Sequence, residues 1–358
     1  MSSSASFQVS KILKTRVRIT SYNILSESLC NEKSYPFNNP EYVREDYRFP
    51  LIKSKIDEEI KKQSIVCMQE VTQKFAGEAH VFFQKKGYHV ITGLYGNHFN
   101  GNMGVVLAFP TNKYDLVASS IITVGDTKRL PKEEKPSVLV SYYNYFASFF
   151  VRRETPIWKQ IVQKRNMLIA VKLKDKETND EFVVATYHMP CAFMTPPLMT
   201  AHAALSAQAV EKFASTQGNA PFIFCGDYNF MPGSDMYNLY ISGNLPLENK
   251  SLPPKIDDWS VALKAPMRSA YREAGLGIEP MYTNIALGVR SDHKANSPPP
   301  PVFSGCLDYI FMSSQWQVDG VKPLLCVTEE SYRDNIQPTQ SEPSDHLLIS
   351  ADLTLVKK

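Results

Sequence analysis

Two kinds of hydrophobic pattern trade places along the chain. Residues 16–25, Arg-Val-Arg-Ile-Thr-Ser-Tyr-Asn-Ile-Leu, alternate polar with apolar and read as a strand. Residues 48–62 carry Ile52, Ile56 and Ile60 four apart, the spacing of one helix face. A short apolar run at 64–71, a helical stretch at 75–86 and strand-like runs at 88–92, 104–109 and 116–122 follow. The second half repeats the rhythm: 166–173 and 182–188 read as strands bracketing a polar turn at 174–180. A helix is expected from Thr195, an N-cap followed by two prolines, to about Ala214. Residues 221–225, 306–312 and 346–356 supply the last strands. Strands interleaved with helices predict two sheets packed face to face with helices outside. The exception is 291–301, whose four consecutive prolines mark a stiff loop or a partly disordered insertion.

Composition narrows the class. The 358 residues are 43% hydrophobic, enough for a large core, and the formal charge of +3 says little about partners. Six cysteines are scattered with no Cys-x-x-Cys pair, which fits a reducing compartment better than a disulfide framework or a zinc site. No stretch is long and apolar enough to span a bilayer. The Ser-rich start loosely resembles a mitochondrial transit peptide, but cleavage there would damage the core strand at 16–25. Residues 1–14 are expected to be a flexible segment and 15–358 one catalytic domain. The expected location is intracellular and cytoplasmic, with nucleus and mitochondrion as alternatives.

Polar residues recur at the C-terminal edges of the strands: Asn23, Glu70, His188, Asp227, Asn229, Asp308, Asp345 and His346. Each alone is an ordinary solvated edge residue; together they mark the rim of an α/β sheet, where sites assemble. Asp227 and Asn229, two apart, would share a face if the strand continued. Glu70, Asp345 and Asn23 offer hard oxygen donors, suited to Mg²⁺ or Mn²⁺ rather than zinc. The chain has neither a P-loop nor a Gly-x-Ser-x-Gly elbow. Carboxylates with imidazoles nearby suit metal-assisted hydrolysis of a phosphate ester.

Six blocks carry a family resemblance: Ser21-Tyr-Asn23-Ile-Leu, Met68-Gln-Glu70-Val, Tyr187-His188-Met, Gly226-Asp227-Tyr-Asn229-Phe-Met-Pro232, Leu307-Asp308-Tyr-Ile and Ser344-Asp345-His346. In order and spacing they resemble the endonuclease/exonuclease/phosphatase superfamily over roughly residues 15–356. The resemblance implies a DNase I-like fold, a four-layer α/β sandwich of two packed mixed β-sheets with outer helices. It implies Glu70 as principal Mg²⁺ ligand, supported by Asn23 and by Asp345 directly or through water. It also implies Asp227 aligning or activating the attacking water and Asn229 positioning phosphate or nucleophile. His346 would contact the scissile phosphate with Asp308 holding its ring, and His188 would donate a hydrogen bond to the transition state. Tyr187, Arg165 and Asn166 are candidates to face substrate.

Ser21 to Ser26, His188-Met189 before a helix containing Gln208, and Met281-Tyr-Thr-Asn284 are similar to the deadenylase, nocturnin and Angel branch. Tyr187 departs from it, standing where that branch has Thr. The proline-rich insertion and the lack of a leading leucine-rich repeat are further departures. The implied function is a Mg²⁺-dependent phosphodiesterase on nucleic acid, a 3′-end exoribonuclease on single-stranded RNA. Alternatives are a phosphatase on inositol phosphates, nucleotides or lipid headgroups, a DNA-repair nuclease, and an inactive interaction module. Residues 126–165 hold nine basic and four acidic side chains, a local +5, interleaved with Tyr142, Tyr143, Tyr145 and Trp158. That stretch either stacks and neutralises a single strand or is a buried strand with a solvated loop.

Overall fold

The alternating segments become two six-stranded sheets that pack face to face. The structure is a computed structural model that describes residues 13–131, 156–287, 302–324 and 336–356. Strands β1 (Arg16–Asn23), β2 (Ile65–Val71), β3 (Tyr88–Leu94), β4 (Gly104–Pro110), β5 (Tyr114–Thr123), β6 (Met167–Asp175) and β7 (Glu181–His188) come first. They are followed by β8 (Phe222–Asp227), β9 (Arg268–Ser269), β10 (Asn284–Ala286), β11 (Phe303–Gly305), β12 (Asp308–Met312), β13 (Trp316–Val321) and β14 (Ile349–Leu355). The first sheet runs β13-β14-β1-β2-β4-β3, the second β5-β6-β7-β8-β12-β9, and β10 and β11 form a small ribbon. Within the two large sheets, β1–β2 and β7–β8 are the parallel pairs; the other described pairings are antiparallel.

The period of two explains the layers. Val17, Ile19, Ile65 and Cys67 of the first sheet face Phe182, Val184, Ile223 and Cys225 of the second, with Trp316 and Ile310 in the same core. On the outer face of the first sheet, Val66 and Met68 meet α1 (Glu45–Ile60) and α2 (Gln73–Gln84) through Ile52, Ile56, Phe75 and Phe83. On the outer face of the second, Ala185, Tyr187 and Phe224 meet the helices Ile157–Gln163, Pro196–Thr216 and Asp235–Ser242. Four layers result, in the expected DNase I-like arrangement.

The helix expected from Thr195 is present, with prolines in its first turn, although the Thr195 side chain makes no capping hydrogen bond. The helices Ile157–Gln163 and Asp235–Ser242 and strand β13 were not expected. They are short, and β13 is bulged against β14, which blurs its periodicity. Within the basic stretch, Trp158 is buried, packed edge-on against Trp259 with Nε1 bonded to Pro254 O, so it offers no free ring for stacking. Tyr142, Tyr143, Tyr145 and the prolines at 298–301 lie outside the described residues.

Candidate active site

Both parallel pairs end at the same place. Asn23 closes β1, Glu70 sits one residue before the end of β2, and His188 and Asp227 close β7 and β8 in register with each other. Glu70 arrives there by breaking the strand alternation. Strict alternation would leave it on the helix face with Met68. Its backbone is left-handed (φ 57°), and the β2–β4 register slips between Met68 and Val71. The carboxylate then meets Asn23, on the face toward the second sheet. Such a conformation costs about 1–3 kcal/mol in a non-glycine residue. At β8, Gly226 allows the close approach of β7: a Cβ there would lie 1.9 Å from Tyr187 O.

One amide nitrogen ties the centre together. Asn23 Nδ2 lies 3.1 Å from Glu70 Oε1, 2.9 Å from Asp227 Oδ2 and 3.5 Å from His346 Nε2. Asn23 Oδ1 is already taken by the Leu25 N–H at 3.0 Å, which fixes the amide orientation. In this arrangement Asn23 is a donor that holds the two carboxylates in place. The second Glu70 oxygen accepts the Ser26 N–H at 3.0 Å.

Asp227 is 1% exposed. Its Oδ2 also faces His188 Nε2 at 3.6 Å and His346 Nε2 at 3.7 Å, and its Oδ1 accepts the Asn229 N–H at 2.9 Å. The two residues meet through this turn, with Asn229 at φ 53°, and not through a shared strand face; the strand has already ended. Asn229 Nδ2 donates to Met189 O at 2.9 Å.

Each histidine has an anchoring partner. His346 Nδ1 donates to Asp308 Oδ2 at 2.8 Å, and Thr283 Oγ1 donates to the same oxygen at 2.6 Å. Burial would lower the His346 pKa, but the charges of Asp308 and Asp227 outweigh it and hold the imidazole well above its ordinary value. His188 Nδ1 bonds Tyr95 OH at 2.8 Å. Burial raises the Tyr95 phenol far above its usual range, so it keeps its proton. The other ring nitrogen, Nε2, faces Asp227 in the site.

Glu70, His188, Asp227, Asn229, Asp345 and His346 line one open pocket of about 830 Å³, with Lys164, Arg165, Asn166 and Asn284 on its wall. Arg165 is exposed at the rim and paired with Asp126 at 3.0 Å. Asn166 donates to His188 O at 2.9 Å. Tyr187 does not reach the pocket. One residue before His188, it points to the opposite face, is fully buried against the helices and bonds His202 Nδ1 at 2.9 Å. Sequence reasoning missed Tyr95, Tyr35 and Thr283 as partners of the site. The Tyr-Thr-Asn block signalled Thr283; Tyr95 and Tyr35 sit in loops with no pattern.

The donor set can hold a divalent cation. Ligand atoms of Asp227, Asp308 and His346 lie within 4.8 Å of one another. However, Asp308 Oδ2 is already occupied by Thr283 and His346, and Asp308 is absent from the pocket wall. Glu70 and Asp345 on the wall fit better. Like Asp308 Oδ1, Asp345 Oδ1 is a buried carboxylate oxygen with no hydrogen-bond partner; Asp345, unlike Asp308, lines the pocket, where a cation would satisfy it.

The chain is 23% identical over 348 residues to 2′,5′-phosphodiesterase 12 of Rattus norvegicus, covering 94% of this chain and 51% of that protein. It is 23% identical over 398 residues to the CCR4-Not complex 3′-5′-exoribonuclease subunit Ccr4 of Aspergillus clavatus, covering 96% and 54%. The chain thus spans about half the length of the curated relatives it matches. Among solved structures, ANGEL2, a 2′,3′-cyclic phosphatase in complex with adenosine-2′,3′-vanadate, superposes with a TM-score of 0.70 at 20% identity, covering 96% of each chain. The human Nocturnin catalytic domain with bound sulfate gives 0.61 at 21% identity, covering 97% of each. Residues 20–346, which contain all six blocks, match the Endonuclease/Exonuclease/phosphatase family, and the chain belongs to that family.

Proposed function

We propose that the chain is a Mg²⁺-dependent phosphodiesterase acting on nucleic acid, a 3′-end exoribonuclease of deadenylase type whose substrate is single-stranded RNA. The observation that carries this reading is the meeting of Glu70, Asp227 and His346, from three distant segments, around the single Asn23 amide nitrogen. Glu70 and Asp345 are the residues to hold the ion, which when bound offsets charge on the phosphoryl oxygens. Asp227 Oδ2 is the base that orients water, kept in place by Asn23. His346, cationic against Asp308, and His188, through Nε2, donate to the oxygens on which charge builds. Asn229 positions the phosphate, and Arg165 and Lys164 on the rim meet the next phosphates of a strand.

The test is a substrate panel with Mg²⁺: labelled oligo(A), mixed RNA, 2′,5′-linked oligo(A), RNA ending in a 2′,3′-cyclic phosphate, single-stranded DNA and inositol phosphates. Stepwise shortening of oligo(A) from its 3′ end is the expected result. Release of phosphate from inositol phosphates with RNA left intact would overturn the nucleic-acid reading and keep the hydrolase.

A further inference from the structure

We propose that Tyr35 is a positioning residue for Asp345: its phenol binds one carboxylate oxygen and so leaves the other as the atom offered to a divalent cation. The proposal rests on the functional reading only in taking the pocket to hold such an ion. Tyr35 lies on the segment between β1 and α1, and its OH donates to Asp345 Oδ2 at 2.9 Å. The other oxygen, Oδ1, is buried without a partner. A carboxylate with one oxygen satisfied and one bare is costly to keep, and a hard cation on the bare oxygen removes that cost.

The surroundings fix this arrangement. The Tyr35 ring packs with Leu25, Cys30 and Val43 in a small apolar cluster. That segment and the first turn of α1 hold the loop that carries Asp345. Arg48, fully buried, donates to Ile24 O, Leu25 O and Pro343 O at 2.5–2.7 Å. Asn38 donates to Ile336 O and Pro338 O, and Tyr47 to Gln340 O. Those contacts hold backbone; Tyr35 alone among them reaches the carboxylate. Partners that orient metal-ligating groups typically change metal affinity by about 10–100-fold when removed.

Mn²⁺ titration of the metal-free protein, followed by calorimetry or by electron paramagnetic resonance of the free ion, tests the proposal without any assay of turnover. Tyr35→Phe keeps the ring and removes the donor; its Mn²⁺ dissociation constant should rise about 10-fold, with the unfolding temperature of the metal-free protein nearly unchanged. In an Asp345→Asn background the same substitution should add nothing, because the two residues act on one ligand. Unchanged Mn²⁺ affinity in Tyr35→Phe, or an equal loss in both backgrounds, overturns the proposal. A metal-free Tyr35→Phe that does not fold while Asp345→Asn does would assign Tyr35 to the core and overturn it as well. A wild-type chain that binds Mn²⁺ and loses affinity with Tyr35→Phe, yet cleaves no phosphate ester, would sink the functional reading and leave this one standing. A wild type that binds no Mn²⁺ sinks both.

Discussion

The two parallel pairs, β1–β2 and β7–β8, stand in matching places in their sheets and deliver different chemistry to one pocket. The first pair ends in Asn23 and Glu70 and needs a left-handed carboxylate residue to aim inward. The second ends in His188 and Asp227, in register, and needs a glycine at the residue before Asp227 so the strands can close. In the proposed mechanism the first pair supplies Glu70 for a cation, steadied by Asn23, and the second supplies the groups that move or donate protons. The difference shows why neither sheet has a site by itself: Asn23, on the first, is the donor that keeps Asp227, on the second, in position.

The division of labour is broken most directly at Asp227. Asp227→Asn removes the base while keeping the shape, and kcat should fall on the order of 10³-fold with Mn²⁺ affinity nearly retained. Equal losses in both measurements would show that Asp227 belongs with the cation ligands. Acid should separate the two sheets as well. His202, bonded to Tyr187 on the outer face of the second sheet, is pushed by burial down to about 4 from 6.5. The unfolded chain binds this proton between those values and the folded chain does not. Stability is therefore intact above pH 6.5 and declines as pH falls toward 4, by about 3 kcal/mol in all. His202→Gln should flatten that part of a denaturation series taken from pH 7 to 4; an unchanged slope would remove His202 as its source.

At the first pair, Glu70→Gln should cut activity about 100-fold at low metal and regain part of it as Mg²⁺ rises. Failure of added metal to restore anything would place Glu70 among the proton-handling groups. The mildest expected change is Tyr95→Phe, which removes the hydrogen-bond partner of His188 Nδ1. A loss of about 10-fold in kcat, with a shifted pH–rate profile and unchanged Mn²⁺ binding, would mark it as acting through His188.

The layers and most strands were legible in the sequence, because the long strands carry a period of two and α1 carries Ile52, Ile56 and Ile60 four apart. The six polar blocks were legible for the same reason: each sits where an apolar run stops. What could not be read was direction at the last residue. Glu70 and Asn229 have left-handed backbones that alternation does not foresee, and Asn23 turns its nitrogen inward because Leu25 claims its oxygen. Tyr187, a candidate to face substrate, is adjacent to His188, and a strand sends neighbours to opposite faces. Tyr95 and Tyr35 reach the site from loops outside the six blocks, so only the folded chain reveals them.

Strand β14 is inserted between β13 and β1, and Ser344 bonds Asn23 O at 2.7 Å although the two are 321 residues apart in the chain. During synthesis β1 therefore waits with one edge bare until β14 follows it out of the ribosome. The site can close only after that late arrival: a chain stopped before Ser344 keeps Glu70 and Asp227 but lacks the segment that brings His346 to them.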